Sequence, residues 1–143
     1  MIHTNVTWQG NAIAAACGAI FNPEVDAVIA RSENDRLLGG VIYQKFTGAS
    51  IRMHMASFDP HSMCRDLLWT VFHYPFIQLG CKVVLGEIPS LNIKSLDIAT
   101  KLGFKEVSRV KDIFPAGDLV MMAMRREDCR WLNIKPRTIK AGA

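Results

Sequence analysis

The chain has 143 residues, half of them hydrophobic, which suits one domain with a real core. Its net charge of +4 sits entirely from Arg125 onward, where six Lys/Arg face Glu127 and Asp128, so the body is neutral and a basic tail from about residue 133 is what could meet nucleic acid or an acidic partner, or else lie solvated. The longest apolar run, 12–21, is too short to cross a bilayer and no Lys or Arg precedes it, while Cys17, Cys64, Cys81 and Cys129 show no CxxC or zinc spacing; a cytoplasmic protein with reduced thiols and no membrane is expected.

Taken in chain order, residues 11–21 are alanine-rich and read as a buried helix ended near Asn22-Pro23. Residues 25–31 alternate and read as a strand, Glu33-Asn34-Asp35 as a turn, and 37–46 as a second strand bulged at Gly39-Gly40. Thr47-Gly48-Ala49 makes a hairpin turn into a third strand over 51–58, completing an antiparallel meander. Asp59-Pro60 breaks that strand. A long helix follows, with Leu68, Phe72, Phe76 and Leu79 on one stripe and Gly80 as its stop. Pro75 lies inside it, lacks an N–H, and should kink or split it near Tyr74. Residues 82–88 form a short strand parallel to its predecessor. Asn92 caps a short helix whose Leu96, Ala99 and Leu102 face the core, and Gly103 suits its left-handed end. Strands over 104–113 and 119–124 close the chain, joined by Pro115-Ala116-Gly117-Asp118. No repeat, low-complexity stretch or internal linker interrupts residues 1–143. This order makes an α/β (α+β layered) domain.

The string from Asn92 to Phe104, with Ser95 and Lys101-Leu102-Gly103-Phe104, resembles the late segment of the GNAT N-acetyltransferases. The element order is similar too, and the likeness runs from about residue 37 to 124. It is nearest the branch that acetylates protein N-termini and the phage-encoded members. The latter are most like the stretch with Arg109, Gly117-Asp118-Leu119 and Met124, followed by Cys129-Arg130-Trp131-Leu132. The resemblance implies a twisted mixed sheet of six or seven strands flanked by helices. It also implies acetyl transfer from acetyl-CoA to a primary amine on a small molecule or a protein.

In that family the corner after the third strand holds the pyrophosphate of acetyl-CoA with an Arg/Gln-x-x-Gly-x-Gly/Ala pattern. A helix start presents free N–H groups and a partial positive charge, which suits an anion. Here the corner runs from Ser57 and Phe58 through His61, Ser62, Met63 and Cys64 to Arg65, and the glycines are absent. Two readings follow. Ser62 and Arg65 supply contacts the glycines do not, or side chains at Met63 and Cys64 block the backbone and the site is lost.

Glu87 stands five residues before Asn92, where the N-terminal branch often carries a general base, and amine acetylation needs a proton acceptor. By resemblance Asn92 and Ser95 line the pantetheine arm; as residues they also read as a cap and a first-turn serine. The family's thiolate-protonating tyrosine falls on Ala99, which has no proton to give. His54 shares a strand face with Arg52 and Ala56 and reads as a groove residue or a structural histidine. His61 and His73 offer no further metal ligand, Cys64 has only His61 near it as a base, and Trp131 and Leu132 should dock the C-terminus on the core. A homodimer remains compatible with the sequence. The alternatives to an acetyltransferase are a catalytically degenerate GNAT fold that binds a host protein or nucleic acid, and an acyltransferase using a longer acyl-CoA or an acyl-carrier protein.

Overall fold

The computed structural model describes residues 1–137, so Lys140 of the basic tail lies outside the described residues. Seven strands form one mixed sheet in the order β1-β2-β3-β4-β5-β7-β6. They are β1 (Ile2–Thr4), β2 (Ala27–Glu33), β3 (Arg36–Gln44), β4 (Ser50–Ser57), β5 (Val83–Pro89), β6 (Lys105–Phe114) and β7 (Gly117–Arg125). The expected meander is β2-β3-β4, and β4 and β5 pair in parallel across a helix. β1 was not foreseen, because three residues are too few to show alternation; it extends the sheet antiparallel to β2.

Three helices cover the sheet: α1 (Thr7–Cys17), α2 (Arg65–His73) and α3 (Ile93–Leu102). α1 begins and ends earlier than the sequence pattern suggests. Gly18, at φ 70°, closes it through N–H bonds to Ala14 and Ala15. The apolar residues beyond it fold back, so that Phe21 lies on Gly10, where a Cβ would come within 2.7 Å of the ring. One face of the sheet meets α1 through Ile13, Ala14, Val28, Ala30, Ile42 and Ala56. The other carries the main core, in which Leu67, Val71, Phe72 and Phe76 of the α2 segment pack on Val41, Tyr43, Ile51 and Val84.

Pro75 splits the long helix as expected. α2 stops at His73 and a π-helical turn runs over Tyr74–Gln78, with Leu79 N–H donating to Tyr74 O and Cys81 N–H to Pro75 O. Phe76 thereby stays fully buried past the break. The expected bulge falls one residue early: Arg31 pairs Gly39 and Ser32 pairs Leu37, which leaves Leu38 extra. Gly39 and Gly40 serve close packing instead. A Cβ on Gly40 would sit 2.5 Å from Ile29 O, and one on Gly39 would sit 2.8 Å from Ala56 O and 2.9 Å from Ser62 Cβ. Trp131 docks the C-terminal segment by donating from Nε1 to Leu102 O at 2.8 Å, with Arg130 over its ring. β6 is exposed along its whole length. No helix among the described residues is long and apolar enough to cross a membrane.

Candidate active site

The parallel ladder between β4 and β5 is short. It holds at Ser50–Val83, Ile51–Val84 and Arg52–Leu85 and then opens. β4 remains tied to β3 as far as Ser57, and β5 to β7 as far as Pro89. The two strands therefore diverge, and residues 53–57 and 86–89 face each other across a gap. A cleft of about 880 Å³ occupies it, within the range of ligand pockets. Its walls are largely apolar: Met53, Met55 and Phe58 on β4 and the corner, Ile88 and Pro89 on β5, and Ile98, Ala99 and Leu102 on α3. Asn92 and Ser95 lie on this α3 wall, and the Asn92 side chain accepts from Ser95 N at 3.2 Å while doing so. Ala99 lines the cleft without a polar atom.

Polar groups gather at the α1 side of the gap. Alternation puts Arg52, His54 and Ala56 on one face of β4, and the parallel register brings Glu87 beside them. Arg52 and Glu87 form an ion pair, and both are partly exposed. His54 and Glu87 both line the cleft. Burial pushes the His54 ring below the ordinary histidine range; Glu87 and Asp26 pull it back up, while Arg52 and Lys45 push it down. At neutral pH His54 is therefore an uncharged base. Cys17, across the cleft on α1, is no nucleophile: burial raises its thiol to about 11, and it donates to Met55 O at 3.3 Å.

The corner is arranged differently. Asp59 Oδ1 accepts from His61 N–H at 2.8 Å, Ser62 N–H donates to Asp59 O at 3.1 Å, and Cys64 N–H donates to Ser62 O at 3.0 Å. Asp59 Oδ2 takes the Arg36 guanidinium at 2.9 Å, and Arg31 donates to the His61 carbonyl. Ser62 is fully buried against Gly39, its hydroxyl 2.6 Å from that of Ser57, which donates on to Asp59 O. Of the residues expected to bind the donor, Ser57, Phe58, Met63, Asn92 and Ser95 line the cleft with Glu87. His61, Ser62, Cys64 and Arg65 do not line it. Ser62 is buried and bonded to Ser57, and His61 and Arg65 are exposed to solvent. Sequence reasoning passed over Asp59, which it treated only as a strand breaker, and Arg52. The Asp-Pro-His order carried the one available signal, since an Asp two residues before a free N–H invites a side-chain turn.

No family model matches the chain, and none of the curated proteins does. Solved structures match it in fold. A mutant of the spermidine N-acetyltransferase SpeG from Vibrio cholerae superposes at TM-score 0.62 with 16% identity, over 76% of this chain and 69% of that one. A GNAT-family acetyltransferase from Bacillus anthracis matches at TM-score 0.60 and 12% identity, over 84% and 86% of the two chains. The Campylobacter jejuni N-acetyltransferase PseH, in complex with acetyl coenzyme A, matches at 0.55 and 14%, over 71% and 68%. At these identities the likeness is one of architecture: the chain has the fold of GNAT acetyltransferases, as its sequence implied.

Proposed function

We propose that this protein transfers an acetyl group from a pantetheine thioester, with acetyl-CoA the expected donor, to a primary amine. One observation carries the reading: β4 and β5 separate after three paired residues and leave a lined cleft between two strand edges. A thioester arm entering there meets main-chain groups of residues 53–57 and 86–89 that do not pair with one another across the gap, and the polar atoms of Asn92 and Ser95. Acetyltransferases share the architecture, and PseH is seen with acetyl coenzyme A, which supports the same use here.

The thioester supplies an activated carbonyl. An ammonium must lose one proton before its nitrogen attacks that carbon, and the adduct must lose a second. The C–N bond forms, the C–S bond breaks, and the departing thiolate takes up one proton. The first acceptor is a group beside the gap. Glu87 was the expected base; here it is ion-paired with Arg52 and stands beside His54. His54, held neutral by burial, takes the proton, and Glu87 steadies the imidazolium that results. Ala99 donates nothing to the thiolate, which leaves unaided.

The likeness to the branch acting on protein N-termini favours an N-terminal α-amine as acceptor, and membership among phage-encoded, cytoplasmic enzymes belongs to the same proposal. The test incubates the chain with acetyl-CoA and, in parallel, an alanine-initiated peptide, free lysine and spermidine, and seeks the amide by mass spectrometry. A thermal-shift titration with acetyl-CoA runs beside it, because a ligand of the native state raises the melting temperature. Amide product sustains the reading; no product and no shift at millimolar acetyl-CoA refute it. The corner favours a second reading, a GNAT fold that binds a protein or nucleic acid partner without chemistry, since several of its amides are already taken. The refuting result above is the one that reading expects.

A further inference from the structure

A diphosphate is gripped by main-chain N–H groups aimed outward from a turn, and cannot share that place with a carboxylate. In this corner the amides of His61, Ser62 and Cys64 are all bonded within the turn. The Asp59 carboxylate occupies the head of the turn and lines the cleft, held by the His61 amide on one oxygen and Arg36 on the other. The His61 bond first, and then Arg36, keep its carboxyl below the ordinary range, so it is charged at neutral pH. The arrangement is pinned from beneath. Ser62 is buried against Gly39, and the Ser57–Ser62 pair would break if the turn opened to release its amides. The strand gap, in contrast, leaves its edges free for an arm.

Given the acyl-transfer reading, on which this rests, we propose that the donor is an acyl thioester held by its pantetheine arm and not by a nucleotide diphosphate, Asp59 standing where the diphosphate would be gripped. The arm's source is either the free thioester or an arm borne on a carrier protein. Lys94 and Lys101, which line the cleft from α3, would suit a phosphate and an acidic carrier alike, so both sources enter the test.

The experiment titrates the full chain calorimetrically with acetyl-CoA, S-acetylpantetheine and an acetylated phosphopantetheinyl carrier domain. Acetyl-CoA is expected to bind no more than about tenfold tighter than S-acetylpantetheine. Asp59→Asn keeps an oxygen for the His61 amide and removes the charge. It should tighten acetyl-CoA by about tenfold and leave S-acetylpantetheine unchanged. A carrier domain that binds more tightly than S-acetylpantetheine identifies the protein-borne arm; equal binding identifies the free thioester. Acetyl-CoA more than about tenfold tighter than S-acetylpantetheine on the unmodified chain overturns the proposal while leaving acyl transfer intact. So does an Asp59→Asn chain with unchanged acetyl-CoA affinity. If no thioester binds either protein, acyl transfer itself falls. The comparison on the unmodified chain decides the matter even where the variant fails to fold.

Discussion

The two ends of the cleft use similar side chains to opposite effect. At the strand gap, Glu87 and the uncharged ring of His54 line an open volume, with Arg52 ion-paired to Glu87. At the corner, Arg31, Arg36, Asp59, Ser57 and Ser62 act on one another and on the turn's own backbone. The first set borders the volume where the strands part, whereas the second is bonded into the turn and holds its shape. The first end is where a reaction is to be sought, and the second is a rigid wall.

The sharpest way to break this contrast is at His54. His54→Gln should lower kcat/KM for amine acetylation by about a hundredfold. It should also abolish an acid limb that, with His54 present, lies below the ordinary histidine value of 6.5. A fall of less than about threefold would remove His54 from the proton-accepting role. At the opposite end, Gly39→Ala forces a Cβ to 2.8 Å from Ala56 O and 2.9 Å from Ser62 Cβ. A loss of about 2 kcal/mol in urea unfolding is expected from that overpacking. An unchanged midpoint would mean that the wall yields.

Smaller effects sharpen the picture. Glu87→Gln should reduce kcat/KM about tenfold. With the carboxylate gone His54 becomes a weaker base, so the acid limb moves to lower pH while thioester binding stays as before. A rate loss with no movement of the limb would point to a merely structural Glu87. Ser62→Ala removes the bond to Ser57 but leaves Ser57 bonded to Asp59 O, so about 1 kcal/mol should be lost. The gentlest probe is pH. Burial depresses both His54 and His73 in the fold, whereas unfolding lets each ring charge at its ordinary 6.5. Protons therefore go first to the unfolded chain, and the stability tied to these rings is complete above 6.5 and declines as pH falls below it. The slope of urea midpoint against pH should flatten in His54→Gln.

Much of the scaffold was legible in the chain because local rules decided it. Pro75 cannot donate, so the helix broke where a donor was missing. Asn92 and Gly103 cap α3 at its two ends by their own chemistry. The meander and the parallel return followed from strand spacing. Long-range effects stayed hidden. α1 is shifted because Phe21 prefers the space over Gly10 to a further helical turn. The meeting of Arg52 with Glu87 depends on a register between strands separated by a whole helix. At the corner the missing glycines were visible, but the carboxylate folded onto the His61 amide was not, since that bond depends on a turn geometry no periodicity encodes.

One edge of the sheet carries a further lesson. β6 hangs from β7 alone, uncovered on both faces, while β7 is held on its other side by β5. Its amides should exchange with deuterated solvent by a local fraying that never reaches β4 or β5. The molecule should therefore open in two layers, an outer ribbon that peels first and an inner sheet that keeps its strand gap, with ligand-linked protection confined to the second.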